Sequence, residues 1–118
     1  MRLINSRLHG VLDYIVVAFL YAAPTLFNMD YMLEMFIYST ATLYLALAII
    51  TRFELGLIKI LSFRIHGLIE VLLAVLFTSL AFWFNQQDDI TGFYFYLWFA
   101  VLIMGVFVLT DFSTSDRR

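Results

Sequence analysis

The sequence predicts an all-α membrane protein, a four-helix bundle made of two parallel helical hairpins. The first observation is composition: 64% of the 118 residues are hydrophobic and only 14% are charged. Soluble domains average about 45–50% apolar and about 25% charged residues. The second observation is a set of four apolar stretches of about 20 residues, the length that crosses a bilayer. The third is that lysine and arginine occur only outside or at the edges of these stretches.

The predicted spans cover residues 8–27, 31–50, 65–84 and 90–109. Short polar turns follow the first and third spans, so each pair of spans should form a hairpin. The connection at 51–63 is the longest and joins the two hairpins. We therefore expect a single transmembrane domain over residues 1–118, with a first repeat at 1–54 and a second at 55–118.

The charge distribution predicts which helix ends face the cytoplasm. All seven basic residues lie in the N-terminal segment, the connection between hairpins or the C-terminal tail: Arg2, Arg7, Arg52, Lys59, Arg64, Arg117 and Arg118. The two short turns contain Asp30, Asp88 and Asp89 but no lysine or arginine. Because positive charge marks cytoplasmic loops, we predict a multi-pass protein of the cell inner (plasma) membrane with both termini cytoplasmic.

A seven-residue motif occurs twice and contains the only two histidines of the chain. Its copies read Arg7-Leu8-His9-Gly10-Val11-Leu12-Asp13 and Arg64-Ile65-His66-Gly67-Leu68-Ile69-Glu70. The copies are 57 residues apart, and the same offset carries Leu26-Phe27-Asn28 onto Trp83-Phe84-Asn85. We interpret this as an internal duplication, although the second helices of the hairpins match poorly at this offset. Because each unit contains two spans, both copies enter the membrane in the same direction.

The first motif, with the later segment Tyr21-Ala22-Ala23-Pro24-Thr25-Leu26-Phe27, resembles small bacterial four-helix membrane proteins of the SPW-repeat type. In that family a Ser-Pro-Trp triplet closes the first helix of each hairpin. This chain has Ala23-Pro24-Thr25 and Leu80-Ala81-Phe82 at those places. The resemblance covers the first helix of each hairpin. It implies a four-helix membrane protein and implies no activity, cofactor or site residue.

The motif places two ionisable pairs on helix faces. His9 and Asp13 are four residues apart, as are His66 and Glu70, so each pair lies on one side of a helix about one turn apart. Because the repeats are parallel, His9 and His66 should lie at equal depth in the membrane. If the two faces converge, two imidazoles and two carboxylates meet close to the cytoplasmic leaflet.

Two further residue types of the motif have expected roles beside these pairs. Gly10 and Gly67 would allow close helix packing next to the histidines. Arg7 and Arg64 lie just outside the apolar stretches, where contact with phospholipid headgroups, or support of the cluster, is expected.

Four interpretations of the cluster are open at this point. The pairs could only lock the hairpins together, as buried polar residues of membrane bundles do. The favoured interpretation is a channel- or transporter-like protein that binds a proton, a cation or a small polar ligand, because histidine changes charge near neutral pH. Alternatively, the quartet could bind zinc, iron or manganese, for which imidazole and carboxylate are suitable ligands. Finally, His9 and His66 could hold a b-type haem between them.

Several other functions are not supported by the sequence. The absence of cysteine excludes disulfides and thiolate sites. Neither a nucleophile-elbow serine nor a glycine-rich phosphate loop is present, so we predict no catalytic residue and no enzymatic activity. Nucleic-acid binding is not expected, since the basic residues serve as topology determinants. The expected partners are the lipid bilayer and, because four helices enclose little volume, further copies of the chain.

Overall fold

Four helices make up most of the structure, a computed structural model that describes residues 3–51 and 54–112. They are α1 (Ser6–Leu26), α2 (Tyr31–Ile50), α3 (Phe63–Gln86) and α4 (Ile90–Leu109). Each is long and apolar enough to cross a membrane, which confirms the predicted number of spanning helices. α2 and α4 have the predicted bounds, whereas α1 and α3 begin two residues earlier than predicted. Arg2, Arg52, Arg117 and Arg118, which entered the charge argument, lie outside the described residues.

Local sequence explains where the first helix of each hairpin begins and ends. Asn5 caps α1 and Ser62 caps α3, each accepting a hydrogen bond from the amide three residues later, at 2.8 and 3.2 Å. Just beyond these helices Asn28 and Asp88 have left-handed backbones, with φ of 50° and 60°, which asparagine and aspartate tolerate well. The chain therefore reverses in two short turns, and α1 packs along α2 while α3 packs along α4. The opposite end of the bundle is termed the termini end.

Backbone pairing at the termini end links the two hairpins. The Ile4 amide donates to the Leu109 carbonyl (2.9 Å), and the Asp111 amide donates to the Ile4 carbonyl (2.7 Å). Similarly, the Leu61 amide donates to the Ile50 carbonyl (2.8 Å). The segment before α1 is thereby attached to the end of α4, and the segment before α3 is attached to the end of α2.

The two hairpins bury corresponding positions. Seven buried positions of α1 recur 57 residues later in α3: Ser6/Phe63, His9/His66, Gly10/Gly67, Asp13/Glu70, Val17/Ala74, Leu20/Phe77 and Pro24/Ala81. Five buried positions of α2 recur 59 residues later in α4: Leu33/Gly92, Ile37/Tyr96, Thr40/Phe99, Ala41/Ala100 and Tyr44/Ile103. The offset between corresponding positions rises from 57 in the first helices to 59 in the second helices. The reason is that α3 is three residues longer than α1, whereas the turn after α3 is one residue shorter than the turn after α1.

Apolar side chains fill the bundle on both sides of the motif residues. A large cluster, which includes Leu20, Phe77 and Phe99, occupies the half nearest the turns. A small cluster of Ala48 and Phe63 lies at the termini end. Many large apolar side chains also face outward, for example Leu68, Leu72 and Trp98. An outer surface of this kind is expected of helices that face lipid.

Candidate functional site

The four predicted site residues, His9, Asp13, His66 and Glu70, converge at one buried point between α1 and α3. Each side chain offers one ligand atom, and these atoms all lie within 4.8 Å of one another. The histidines are fully buried, and Glu70 and Asp13 are only 1% and 6% exposed. The structure thus brings together the two pairs whose convergence the sequence left open. These residues are termed the quartet.

Both imidazoles of the quartet face both carboxylates. Glu70 Oε1 lies 2.8 Å from His9 Nε2 and 2.5 Å from His66 Nε2. Asp13 approaches from α1, with Oδ1 3.4 Å from His9 Nε2 and Oδ2 3.1 Å from His66 Nε2. The imidazole rings are nearly perpendicular, at 81°, with centroids 5.3 Å apart. Two nitrogen and two carboxylate ligand positions are therefore directed at one point.

Two threonines hold the other nitrogen of each imidazole. Thr110 Oγ1 lies 2.9 Å from His9 Nδ1, and Thr51 Oγ1 lies 2.7 Å from His66 Nδ1. Each hydroxyl donates its only hydrogen to the backbone carbonyl four residues earlier, at 2.5 Å. The threonine oxygens must therefore accept from the imidazoles, so both histidines carry a hydrogen on Nδ1. This fixes Nε2 as the nitrogen that each histidine offers to the quartet.

These threonines were not among the site residues predicted from the sequence. Thr51 directly follows α2 and Thr110 directly follows α4, so the same residue type ends both second helices. They are 59 residues apart, and the 57-residue offset of the histidine motif does not align them. An alignment made separately for the second helices would have paired them.

Aromatic rings close the quartet toward the termini end. Phe63 meets His9 edge-on with ring centroids 5.2 Å apart, and Phe112 packs on Phe63 at 4.6 Å. Phe112 fits because residue 67 is glycine, since a Cβ there would lie 2.6 Å from its ring. Gly67 therefore makes room for the side chains of Phe112 and of Phe107 on α4, the latter 3.2 Å from the same Cβ position. Gly10 is also buried.

The charges of the quartet must be balanced within it. Arg7 and Arg64 are both exposed, and no lysine or arginine is buried among residues 3–51 and 54–112. An ionised carboxylate is costly to bury without a counter-charge. When Asp13 and Glu70 are both ionised, two positive charges are needed to neutralise them, either as protons on the two Nε2 atoms or as one divalent cation.

Two buried side-chain atoms lack a hydrogen-bond partner, and no others do in the described part of the chain: Asp13 Oδ2 and Tyr44 Oη. Asp13 Oδ2 is close to His66 Nε2, but the contact does not have the alignment of a hydrogen bond. Tyr44 is 1% exposed and belongs to the large apolar cluster. One carboxylate oxygen of the quartet therefore lacks a hydrogen bond.

Comparison with protein-family models, curated proteins and solved structures gave no match to this chain. The likeness to the SPW-repeat type accordingly stays a prediction.

The geometry fits a metal ion and does not fit a haem. Bis-histidine haem ligation requires a porphyrin between the two imidazoles. Here both Nε2 atoms contact the same oxygen of Glu70, and Asp13 lies beside them. A macrocycle could enter only by displacing both carboxylates from the point that they share, whereas a single ion could bind all four side chains.

Proposed function

We propose that this protein binds a divalent transition-metal ion such as Zn²⁺, Fe²⁺ or Mn²⁺ in the quartet. The observation that carries the proposal is the convergence of two imidazole nitrogens and two carboxylate oxygens within 4.8 Å. Imidazole and carboxylate are ligands that suit these ions. One such ion also supplies the two positive charges that the buried carboxylates need.

The contacts of Thr51 and Thr110 support this proposal. A histidine that binds a metal through one nitrogen almost always donates the hydrogen of the other to an oxygen, which fixes the tautomer and the ring orientation. Both histidines have this arrangement, with Nδ1 donating to a threonine and Nε2 directed inward.

The surroundings favour binding over conduction. Deeper in the bundle, the Tyr96 hydroxyl is 2.9 Å from Thr40 Oγ1. The ring of Phe77 packs against both Tyr44 and Tyr96, with centroids 6.2 and 5.5 Å from theirs. Apolar side chains of the large cluster fill this part of the bundle, which favours an ion held at the quartet over a polar path toward the turns.

Metal content is the direct test. The full-length protein in detergent, incubated with Zn²⁺ and freed of excess ion, should retain one ion per chain. Glu70→Gln should weaken Zn²⁺ binding by at least about 100-fold, the upper end of what loss of a supporting partner costs, because it removes a ligand itself. Titration calorimetry and elemental analysis measure both quantities.

The matched control is Glu34→Gln, the same change on α2 near the turns. It should leave Zn²⁺ binding unchanged. Wild-type protein that retains no Zn²⁺, Fe²⁺ or Mn²⁺ at micromolar free ion would disprove the proposal.

We also propose that the hairpins are copies of one unit and that the termini end faces the cytoplasm across the plasma membrane. The corresponding buried positions at offsets of 57 and 59 residues support the duplication. Arg7, Lys59 and Arg64 lie at the termini end and Asp30 and Asp88 at the turns, which supports the orientation.

Cysteine labelling tests the orientation without background, because the chain has no cysteine. Gln87→Cys in the second turn should react with a membrane-impermeant maleimide in intact cells. Leu57→Cys, exposed at the termini end, should react only after lysis. The reverse pattern would show that the termini lie outside.

A second candidate function is a structural joint between the hairpins. The observation that favours it is that the contacts cross between them, from His9 to Glu70, from Asp13 to His66, and from each histidine to a threonine. The two functions are compatible, because an ion bound here would tighten the same joint.

A further inference from the structure

We infer that the quartet is a closed tetrahedral site that selects Zn²⁺, with its four side chains as the only ligands, and that it prefers Co²⁺ to Ni²⁺. The inference rests on the proposed function, since it concerns which ion the same four side chains take. Two observations support it, the separation of the two imidazole rings and the apolar walls around the quartet.

The imidazole rings lie at the separation that tetrahedral coordination requires. With metal–nitrogen bonds of about 2.0–2.1 Å, the centre of an imidazole lies about 3.2 Å from the ion that its Nε2 binds. Two such rings have centroids about 5.2 Å apart at a tetrahedral angle, about 4.5 Å apart at a right angle and about 6.4 Å apart on opposite sides of the ion. The centroids of His9 and His66 are 5.3 Å apart. Square-planar and octahedral sites use only right and opposite angles, so this separation fits a tetrahedral site.

The protein itself holds the rings in these positions. Thr110 fixes Nδ1 of His9 and Thr51 fixes Nδ1 of His66, at 2.9 and 2.7 Å. Both Nε2 atoms approach the same oxygen of Glu70, at 2.8 and 2.5 Å, so the two rings point at one place. The angle between the nitrogen ligands is therefore set before an ion arrives.

The walls of the quartet provide no further ligand. Phe63 packs against the ring of His9, and the large apolar cluster begins at Val17 and Ala74, four residues after the acids. No other histidine, aspartate or glutamate of residues 3–51 and 54–112 belongs to the group. A buried water needs polar partners, so the four side chains complete the shell. A closed shell is typical of structural zinc sites and leaves no position for a substrate.

A site of this geometry reverses one step of the usual order of metal affinity. Sites built of nitrogen and oxygen ligands generally bind Ni²⁺ more tightly than Co²⁺. Ni²⁺ favours square-planar or tetragonal surroundings, which rings held at a tetrahedral angle do not offer. Zn²⁺ has no geometric preference from its d electrons, and Co²⁺ readily accepts a tetrahedral shell. We therefore expect Zn²⁺ to bind most tightly, followed by Co²⁺ and then Ni²⁺.

Competition between metals on the full-length protein in detergent tests the inference. Co²⁺ alone should give the strong visible absorption of a tetrahedral ion. Ni²⁺ should displace Co²⁺ only when it is in about 10-fold or greater excess, the reverse of the usual order. Zn²⁺ should displace Co²⁺ at equal concentration. The loss of the Co²⁺ absorption measures both displacements.

Asp13→Ala opens the shell, because it removes one ligand and leaves space for water. Its Co²⁺ absorption should weaken, and Ni²⁺ should displace Co²⁺ at or below equal concentration. Asp30→Ala is the matched control, since Asp30 is an exposed aspartate next to the first turn, and it should keep the absorption and the metal order of the wild type. The wild-type order decides the inference even if Asp13→Ala binds no ion.

The outcomes separate the two proposals. If the wild type binds Co²⁺ with the weak absorption of a six-coordinate ion, or binds Ni²⁺ more tightly than Co²⁺, the closed tetrahedral site is disproved and the metal site stands. Asp13→Ala with the wild-type absorption would also disprove it, because Asp13 would then not be a ligand. If the wild type binds none of the three ions, the proposed function fails and this inference fails with it.

Discussion

Replacement of both histidines by alanine should lower the free energy of unfolding by about 3–5 kcal/mol, the cost of breaking a buried ion pair by removing one partner. The reason is the position of the carboxylates. Glu70 is 1% exposed and Asp13 is 6% exposed, and both face the imidazoles of His9 and His66. With these removed, the carboxylates are buried without a counter-charge in a part of the bundle that lipid surrounds.

Unfolding of the metal-free protein in mixed micelles, followed by circular dichroism, measures the effect. Leu72→Ala with Val75→Ala is the control, because both side chains face outward, at 63% and 64% exposure. It should change the free energy of unfolding by less than about 1 kcal/mol. A histidine double variant as stable as this control would show that the quartet contributes little to the joint.

A quadruple variant identifies the cause of the loss. Adding Asp13→Asn and Glu70→Gln to the histidine double variant removes the buried charge, and it should therefore recover a large part of the lost stability. If stability falls further instead, the loss arises from the cavity left by the imidazoles and not from uncompensated charge. Saturating Zn²⁺ should stabilise the wild type alone, by about 2.7 kcal/mol when free ion is 100-fold above the dissociation constant.

The number of helices, and their bounds to within two residues, could be predicted because bilayer thickness requires a fixed length of apolar chain. The polar residues after Phe27 and Phe84 interrupt that length plainly. The quartet residues were also identifiable, since the chain has two histidines and each is followed by an acid four residues later. Charged and ionisable residues in apolar stretches are few and therefore conspicuous.

The convergence of the quartet could not be predicted, because it depends on how each helix is rotated about its axis. In a lipid-exposed bundle, apolar residues lie on all sides of a helix, so hydrophobic periodicity does not define an inner face. α4 illustrates this, since it contains no charged residue and buries only Gly92, Tyr96, Phe99, Ala100 and Ile103.

Thr51→Val with Thr110→Val should weaken Zn²⁺ binding by about 10–100-fold, the usual cost of removing the partners that orient metal-binding histidines. Valine has nearly the shape of threonine, so the packing around each ring changes little. The acceptor for each Nδ1 hydrogen is lost, however, and the imidazoles are no longer held with Nε2 directed at Glu70. Titration calorimetry of the metal-free protein with Zn²⁺ measures the change.

Two controls separate orientation of the histidines from a general effect on the helices. Thr78→Val removes a hydroxyl that bonds the carbonyl four residues earlier, at 2.8 Å, as Thr51 and Thr110 do, but that has no contact with a histidine among the described residues. It should leave Zn²⁺ affinity unchanged. Thr51→Ser with Thr110→Ser keeps both hydroxyls, so this double variant should retain most of the Zn²⁺ affinity that the valine variant loses.

The single variants Thr51→Val and Thr110→Val should show which histidine binds the ion, because the two threonines contact different histidines. Thr51 is 2.7 Å from His66, and Thr110 is 2.9 Å from His9, so each substitution releases one imidazole and leaves the other held. If both histidines bind the ion, the single losses should be similar and the double loss should exceed either. If only one threonine affects Zn²⁺ binding, the ion is bound through one histidine. If neither affects it while both lower stability, the threonines serve the joint between hairpins and not the metal.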